Sequence, residues 1–200
     1  MRSFIAAGLS LLALGATAQP LEARAATCMT TANSVKVAQN FRALIHETFN
    51  VTLAKTALTK DFTDYSDSVI TLINSGCTGP VQLTTPTFST RAEFIAGQSS
   101  QPPIPFKILN LWHTCSTVVI RWRASAGLGP ATPQEPVTGI IVIETQPNKN
   151  KASDQPFLIQ TVFSEFNSGA WLYDLGVFVP TNCTAPAKRS ISANPFMGML

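Results

Sequence analysis

The polar side chains best placed to do chemistry lie together between residues 61 and 67. Asp61, Asp64, Tyr65 and Asp67 all occur in this segment. In a helix Asp61, Asp64 and Tyr65 would share a face, whereas in a strand Asp64 would face away from the other three. A carboxylate in an apolar cavity would have a raised pKa and could act as a general base beside the tyrosine. The simpler interpretation is that these acidic side chains form caps and Asx-turns between a helix and a strand.

Two glutamates and an asparagine lie near the ends of predicted strands. Glu144, Glu165 and Asn167 alternate onto faces that also carry apolar residues. They could line the mouth of a cavity, or they could lie in water just beyond the core. An inward glutamate would need a hydrogen-bonded or cationic neighbour, because a buried charge without a partner is costly. The sequence leaves both placements open.

Histidine and tryptophan supply the remaining candidates. His113 could act alone as an acid or base, but a hydrogen bond near the following hairpin is the simpler role. His46 is far from it in sequence, so neither a metal site nor a Ser-His-Asp triad is supported. We therefore expect no metal and no cofactor. Trp112, Trp122 and Trp171 are expected in the core, or in a cavity wall that suits a planar apolar ligand.

The elements that must position these residues are predicted to be helical in the first half of the chain and extended in the second. Helical spacing predicts helices over 31–49 and 53–59, and a capping-box sequence at 90–93 predicts a third that ends at Gly97. Runs rich in β-branched and aromatic residues predict five strands, over 106–113, 117–124, 137–146, 157–167 and 171–179. Short connections favour antiparallel hairpins. We therefore expect an α+β domain in which three N-terminal helices pack on a strongly curved antiparallel sheet and enclose an apolar pocket.

Alternation along the strands sorts the side chains between two faces of the sheet. In the second predicted strand Val118, Ile120 and Trp122 share one face, and Arg121 and Arg123 share the other. We expect the two arginines in solvent or in a dimer surface.

The third and fourth predicted strands carry apolar residues on both faces. In the fourth, strict alternation places Ile159, Phe163 and Glu165 opposite Val162 and Ser164. A sheet that is apolar on both sides should be covered on both sides. The pattern therefore predicts helices on one face and the second subunit of a homodimer on the other.

The N-terminal residues are typical of a secretory signal. Arg2 supplies the positive charge, and the apolar run over 4–14 precedes a small-residue cleavage site, so residues 1–18 are expected to be removed. This run is too short to span a membrane. We expect a single domain over 28–179, an irregular tail over 180–200, and a secreted, extracellular protein with no membrane partner.

The cysteines and two glycosylation sequons both fit an exported protein. The four cysteines are Cys28, Cys77, Cys115 and Cys183. Their even number predicts two disulfides, with three connectivities open. Their spacing does not favour a zinc site. The sequons place candidate glycans on Asn50 and Asn182.

The charge balance argues against one class of partner. The chain has 14 basic and 11 acidic residues and a net charge of +3 at pH 7. Removal of Arg2 with the signal peptide lowers the net charge to about +2, and no basic stripe is visible in the sequence. We therefore expect no nucleic-acid partner.

Six short stretches together resemble the secreted nuclear-transport-factor-2-like proteins of filamentous fungi. They are DFTDYSDS at 61–68, RAEF at 91–94, NLWH at 110–113, IRWR at 120–123, VTGI at 137–140 and SEFNSGAW at 164–171. The resemblance covers about 28–178 and implies a conical α+β fold with a pocket inside the cone. Related branches include polyketide-cyclase-like and scytalone-dehydratase-like enzymes, in which a tyrosine and a carboxylate near Asp64 and Tyr65 can face the cavity, and also non-enzymatic binding modules. The resemblance therefore implies the fold more firmly than the function.

Three functions follow as hypotheses. The first, which we favour, is a secreted module that binds a small apolar or aromatic ligand in its cone. The second is a cofactor-free lyase, isomerase or cyclase that uses a cavity carboxylate with Tyr65 or His113. The third is an extracellular protein-interaction factor. Convergence of Asp64 or Asp67 with Tyr65 inside one pocket would distinguish the second from the first.

Overall fold

The structure is a computed structural model that describes residues 28–150 and 152–179. The predicted signal peptide and C-terminal tail, with Asn182 and Cys183, lie outside the described residues. The described residues form an α+β architecture of five helices and a five-stranded sheet, which confirms the predicted fold class.

The helices begin where the sequence provides a capping side chain. They are α1 (Thr31–His46), α2 (Val51–Ala57), α3 (Asp67–Ile73), α4 (Arg91–Gln98) and α5 (Ser168–Asp174). Each cap accepts a hydrogen bond from an amide in the first turn, and the caps are Thr30, Asn50, Ser66, Thr90 and Asn167. The predicted cap is confirmed, because the Thr90 hydroxyl accepts from the Glu93 amide. The Glu93 carboxylate accepts from the amide of Ser89, one residue before the cap, and not from the Thr90 amide as in a regular capping box. In the described part of the chain, none of these helices is long and apolar enough to cross a membrane.

The strands form one open, mixed sheet. They are β1 (Leu58–Tyr65), β2 (Lys107–His113), β3 (Thr117–Ala124), β4 (Val137–Pro147) and β5 (Phe157–Phe166). Their order across the sheet is β1-β5-β4-β3-β2. The pairs within β2 to β5 are antiparallel, as predicted, whereas β1 runs parallel to β5.

The predicted fifth strand over 171–179 is wrong, because its first half belongs to α5. Asn167 starts this helix by accepting a hydrogen bond from the Ala170 amide at 3.1 Å. The fifth strand is β1 instead, which occupies residues where the second helix was predicted to end. Its partner β5 lies far along the chain, and local sequence patterns do not reveal such a long-range parallel pairing.

The predicted faces of β3 are confirmed. Val118, Ile120 and Trp122 are buried in the core, whereas Arg121 is half-buried and Arg123 is exposed on the other side. The helices cover the first of these faces, which we call the inner face of the sheet. The opposite face, which carries the two arginines, is called the outer face.

The predicted alternation along β5 is wrong at Ile159. The register between β4 and β5 shifts between Ile159 and Thr161, so that Gln160 is an extra residue in β5. Such a bulge interrupts the two-residue period of a strand. Ile159 and Val162 are consequently both buried in the core.

One disulfide ties the start of α1 to the sheet. Cys28 and Cys115 are bonded, and the adjacent Met29 amide donates to the Cys115 carbonyl at 2.9 Å. The Cys28–Cys115 bond joins the segment before α1 to the β2–β3 turn across a sequence separation of 87 residues. Cys77 is exposed and has no sulfur partner among the described residues. A second disulfide therefore stays a prediction.

Candidate functional site

A cavity of about 370 Å³ lies between the inner face of the sheet and the helices. This volume lies within the range of small-molecule sites. Its apolar walls come from six elements and the loops between them, and the aromatic members are Phe41, Phe88, Phe106, Trp122, Phe166 and Trp171. The aliphatic members are Ile45, Val69, Leu72, Ile73, Ile104, Leu128, Ile141 and Leu175. The lining favours an apolar or aromatic ligand.

Asp64 is the one ionisable side chain among the described residues that line this cavity. It lies on the inner face of β1, and its backbone is held by hydrogen bonds with Phe88 and Thr87 at 2.8–3.2 Å. The residue is buried, at 7% exposure, and its Oδ1 has no hydrogen-bond partner among the described residues. A buried carboxyl with an unpaired oxygen is costly unless it is protonated or meets a partner.

Burial raises the pKa of Asp64 from 3.8 to about 7, and the negative charge of Glu165 adds to the shift. Removal from water is the larger cause, because it disfavours the charged form of the carboxyl. At neutral pH Asp64 is therefore divided between its protonated and ionised forms. A group in this state can donate a proton or accept one.

Glu165 was a candidate for the mouth of the cavity. It belongs to β5, and its carboxylate lies at the start of α3 instead. Its carboxylate accepts hydrogen bonds from the amides of Asp67 and Ser68, both at 3.0 Å, and from the Ser68 hydroxyl. A carboxylate is stabilised at a helix start by the unpaired amides there. Glu165 therefore anchors α3 to β5 and acts on Asp64 only through its charge.

Tyr65 and Asp67 do not converge with Asp64. Tyr65 lies on the outer face, where its ring stacks on Phe163 with centroids 5.4 Å apart. Asp67 opens α3, and its carboxylate accepts from the Thr84 amide at 2.7 Å. The extended alternative for this segment is thus the one observed, with Asp64 facing away from Tyr65.

Four further candidates do not line the cavity. Glu144 is exposed in β4, and Asn167 is the cap of α5. Trp112 is 52% exposed at the end of β2. The His113 Nε2 lies 3.3 Å from the Thr31 hydroxyl, which joins β2 to α1. These positions favour the structural interpretation for Glu144, Asn167 and His113. The prediction for Trp112 is wrong, because this side chain lies neither in the core nor in the cavity wall.

Trp122 does line the cavity, together with the polar side chains of Ser164, Gln98 and Gln101. The Trp122 indole nitrogen is buried and has no hydrogen-bond partner among the described residues. Its ring stacks on Phe106, with centroids 4.7 Å apart. The sequence pattern put Ser164 on one face with Val162 but did not single it out. The signal that could have identified Ser164 is its polar side chain on a strand face that is otherwise apolar.

Metal binding has no structural support in the part of the chain that the structure describes. No three His, Cys, Asp or Glu side chains come together there as a metal site. The single cavity carboxyl also provides too few ligands to hold a metal by itself. Asp64 gives the cavity a group that can meet a polar group of a ligand and can transfer a proton.

Comparison with known proteins identifies the family but no close relative. A family model for the NTF2-like domain matches residues 27–178. No curated protein sequence matches the chain.

Several solved structures are similar to this chain at low identity. A protein of Jannaschia sp. CCS1, named for a SnoaL-like polyketide cyclase, is 11% identical with a TM-score of 0.49, over 74% of this chain and 94% of that one. IdmH of Streptomyces antibioticus, named for a polyketide cyclase, is 13% identical with a TM-score of 0.45, over 72% and 98%. AclR of Streptomyces galilaeus, named for a hydroxylase, is 12% identical with a TM-score of 0.46, over 77% and 91%. Likeness at this level carries no argument about activity.

The family model spans all ten helices and strands of the described residues, from the disulfide-bonded Cys28 to the residues that follow α5. The open mixed sheet, the covering helices and the cavity between them agree with that match. The chain therefore belongs to the NTF2-like family.

Proposed function

We propose that this protein binds a small apolar or aromatic molecule in the cavity and that the Asp64 carboxyl meets a polar group of that molecule. The observation that carries the proposal is a 370 Å³ apolar cavity with one buried ionisable group, whose Oδ1 has no partner among the described residues. Apolar walls with a few convergent polar groups are typical of small-molecule sites. A hydroxyl or carbonyl on the ligand would satisfy the carboxyl in one protonation state or the other.

The rim of the cavity offers a test that leaves the core intact. Leu175 lines the cavity but is 40% exposed, so a larger side chain there fills the cavity from its edge. We expect Leu175→Trp to weaken binding of aromatic probes by about tenfold or more, measured by native mass spectrometry and fluorescence titration. Val177→Trp is the matched control, because Val177 is 49% exposed and does not line the cavity. Equal binding by both variants would refute a cavity ligand.

A second function, cofactor-free proton transfer as in a cyclase or isomerase, is favoured by the Asp64 pKa of about 7. A general acid or base works best when its pKa is near the working pH. Tyr65 and His113 lie outside the cavity, so Asp64 would act without the partners expected from the sequence. Loss of turnover in Asp64→Asn with retained ligand affinity would support this function. Asp61→Asn, on an exposed position of the same strand, is the control.

Homodimerisation through the outer face is part of the proposal. Support comes from an apolar patch there, where Trp112, Ile140 and Phe163 are 41–52% exposed. Contiguous apolar surface of this kind is typical of interaction sites. Light scattering should report a dimer for the wild type and a monomer for Ile140→Arg. A wild-type monomer at micromolar concentration would contradict the dimer.

Secretion, fungal origin and a glycan on Asn50 also belong to the proposal. Asn50 is exposed, and it caps α2 with its side-chain oxygen, which leaves its amide nitrogen available for a glycan. Mass spectrometry of protein from the culture medium should find an N-terminus after residue 18 and a glycosidase-sensitive mass on Asn50. An extracellular interaction role stays a hypothesis that pull-down experiments would test.

A further inference from the structure

A second cleft, separate from the cavity, collects basic side chains from three segments of the chain. It measures about 660 Å³, opens to solvent, and lies between the C-terminal half of α1 and the paired ends of β2 and β3. Four of its lining residues are basic, namely Arg42, His46, Lys107 and Arg123. Phe106 forms a wall of both spaces and separates them. We call this second space the basic cleft.

The α1 side of the basic cleft is held in place by the backbone that leads into β2. Arg42 and His46 are four residues apart and therefore lie on one face of α1. The Arg42 Nε donates to the Phe106 carbonyl at 2.9 Å. The His46 Nδ1 lies 2.8 Å from the Ile104 carbonyl oxygen and 3.2 Å from the Phe106 amide nitrogen. These contacts fix one edge of the guanidinium and leave its terminal nitrogens without a partner among the described residues.

The sheet side of the basic cleft places two cations directly opposite each other. Lys107 in β2 pairs with Arg123 in β3, and both side chains are exposed. Like charges at directly opposed positions destabilise a strand pair. The Arg123 Nε donates to a neutral group, the Thr138 hydroxyl, at 3.5 Å.

Nothing acidic compensates this charge within the described residues. No Asp or Glu lines the basic cleft, and the ion pair found in the described part of the chain, between Lys36 and Asp154, lies elsewhere. Glu47 follows His46 but is exposed beyond the end of α1 and does not line the cleft. Three cationic side chains, those of Arg42, Lys107 and Arg123, therefore line one cleft that no acidic residue lines, and this arrangement favours an anion.

We propose that the basic cleft binds an oxyanion group, such as the phosphate, sulfate or carboxylate of a small molecule. Guanidinium groups match two oxygens of such a group at once, and Lys107 adds a point charge. Gln39 and Ser125 also line the cleft and can hydrogen-bond the neutral part of the ligand. The basic cleft does not include Asp64, so a test of anion binding there is independent of a test of the proposed function.

Titration of the whole protein with inorganic phosphate tests the proposal. Calorimetry at constant ionic strength, balanced with sodium chloride, should show saturable binding, and parallel titrations with sulfate and acetate identify the preferred oxyanion.

The double variant Lys107→Gln, Arg123→Gln should weaken phosphate binding by about tenfold or more, because charge-assisted hydrogen bonds are lost. The double variant Lys55→Gln, Arg91→Gln is unsuitable as a control, since Arg91 bonds the backbone near α2. Lys55→Gln, Lys60→Gln removes the same charge from exposed positions outside the cleft and should bind as the wild type does.

One charge reversal separates binding from structure. Lys107→Glu should remove the repulsion with Arg123 and raise the Tm at low salt, while phosphate binding is lost. Binding that survives this change, or that falls equally in the lysine control, would overturn the site. So would binding only to long anionic polymers with no saturable phosphate step, because that behaviour is typical of unspecific attraction to a positive surface. Leu175→Trp should leave phosphate binding unchanged.

Discussion

A carboxyl group on the inner face of the sheet and a carboxyl group on the outer face lie in opposite environments. Asp64 on β1 is buried in the cavity with an oxygen that has no partner among the described residues, and its pKa is raised to about 7. Glu165 on β5 is exposed and receives hydrogen bonds from the amides and hydroxyl at the start of α3. The Asp64 carboxyl is therefore available for a ligand, whereas the Glu165 carboxylate already accepts the hydrogen bonds that hold the start of α3. The environment of each side chain, not its chemical type, makes this difference.

The largest effect that separates the two faces should come from Asp64→Asn. The pKa of Asp64 is higher in the folded protein, at about 7, than its ordinary value of 3.8. Folding therefore takes up a proton between these two values, and wild-type stability falls as the pH rises through that window. Above pH 7 the full cost of ionising the buried Asp64 carboxyl is present, and it lowers the free energy of unfolding by about 4 kcal/mol at most.

Denaturant unfolding across pH 4 to 8 checks this prediction. Asp64→Asn should be more stable than the wild type at pH 8, and the difference should shrink toward pH 4. Asp61→Asn should follow the wild-type curve, because Asp61 is exposed. A variant that is no more stable than the wild type at pH 8 would show that the cavity accommodates the charge.

A smaller effect is expected from Glu165→Gln on the outer face. Loss of the charged acceptor at the start of α3 should cost about 1–3 kcal/mol of stability, measured at pH 5, where Asp64 is protonated. The same change should lower the pKa of Asp64, because the Glu165 charge contributes to its shift. Glu144→Gln, an exposed acidic position in β4, is the matched control and should do neither. An unchanged Asp64 pKa in Glu165→Gln would separate the two carboxyls completely.

The smallest effect should come from Tyr65→Leu. The stacked pair of Tyr65 and Phe163 contributes about 1 kcal/mol beyond the area that it buries. Because this pair lies on the outer face, ligand affinity and the Asp64 pKa should stay at their wild-type values. Weakened cavity binding, with the fold intact by circular dichroism, would mean that Tyr65 takes part in the site after all.

The sequence predicted β2 to β5 and the faces of β3, because the side-chain period within a strand is local, but the strand predicted over 171–179 is helical in its first half. Val118, Ile120 and Trp122 are buried as expected, and Thr90 caps α4 as expected. It did not predict β1 or the bulge at Gln160, because both depend on pairing between distant segments. Local patterns carry no direct record of such pairing.

The candidate site was predictable only in part for the same reason. Asp64 was named from the density of acidic groups, but its separation from Tyr65 required the knowledge that residues 58–65 form a strand. The basic cleft was not predictable at all, since Arg42, Lys107 and Arg123 are distant in a chain of low net charge. The fold, rather than any motif, brings them together.

The carboxyl titration of Asp64, followed by carbon-detected NMR in the ligand-free protein, tests the account of the cavity most directly. A midpoint near 7, well above 3.8, is predicted from its burial and from the charge of Glu165. A midpoint near 3.8 would mean that water reaches the carboxyl freely. In that case Asp64 would not lie in an enclosed apolar site, and both the binding and the proton-transfer proposals would fail.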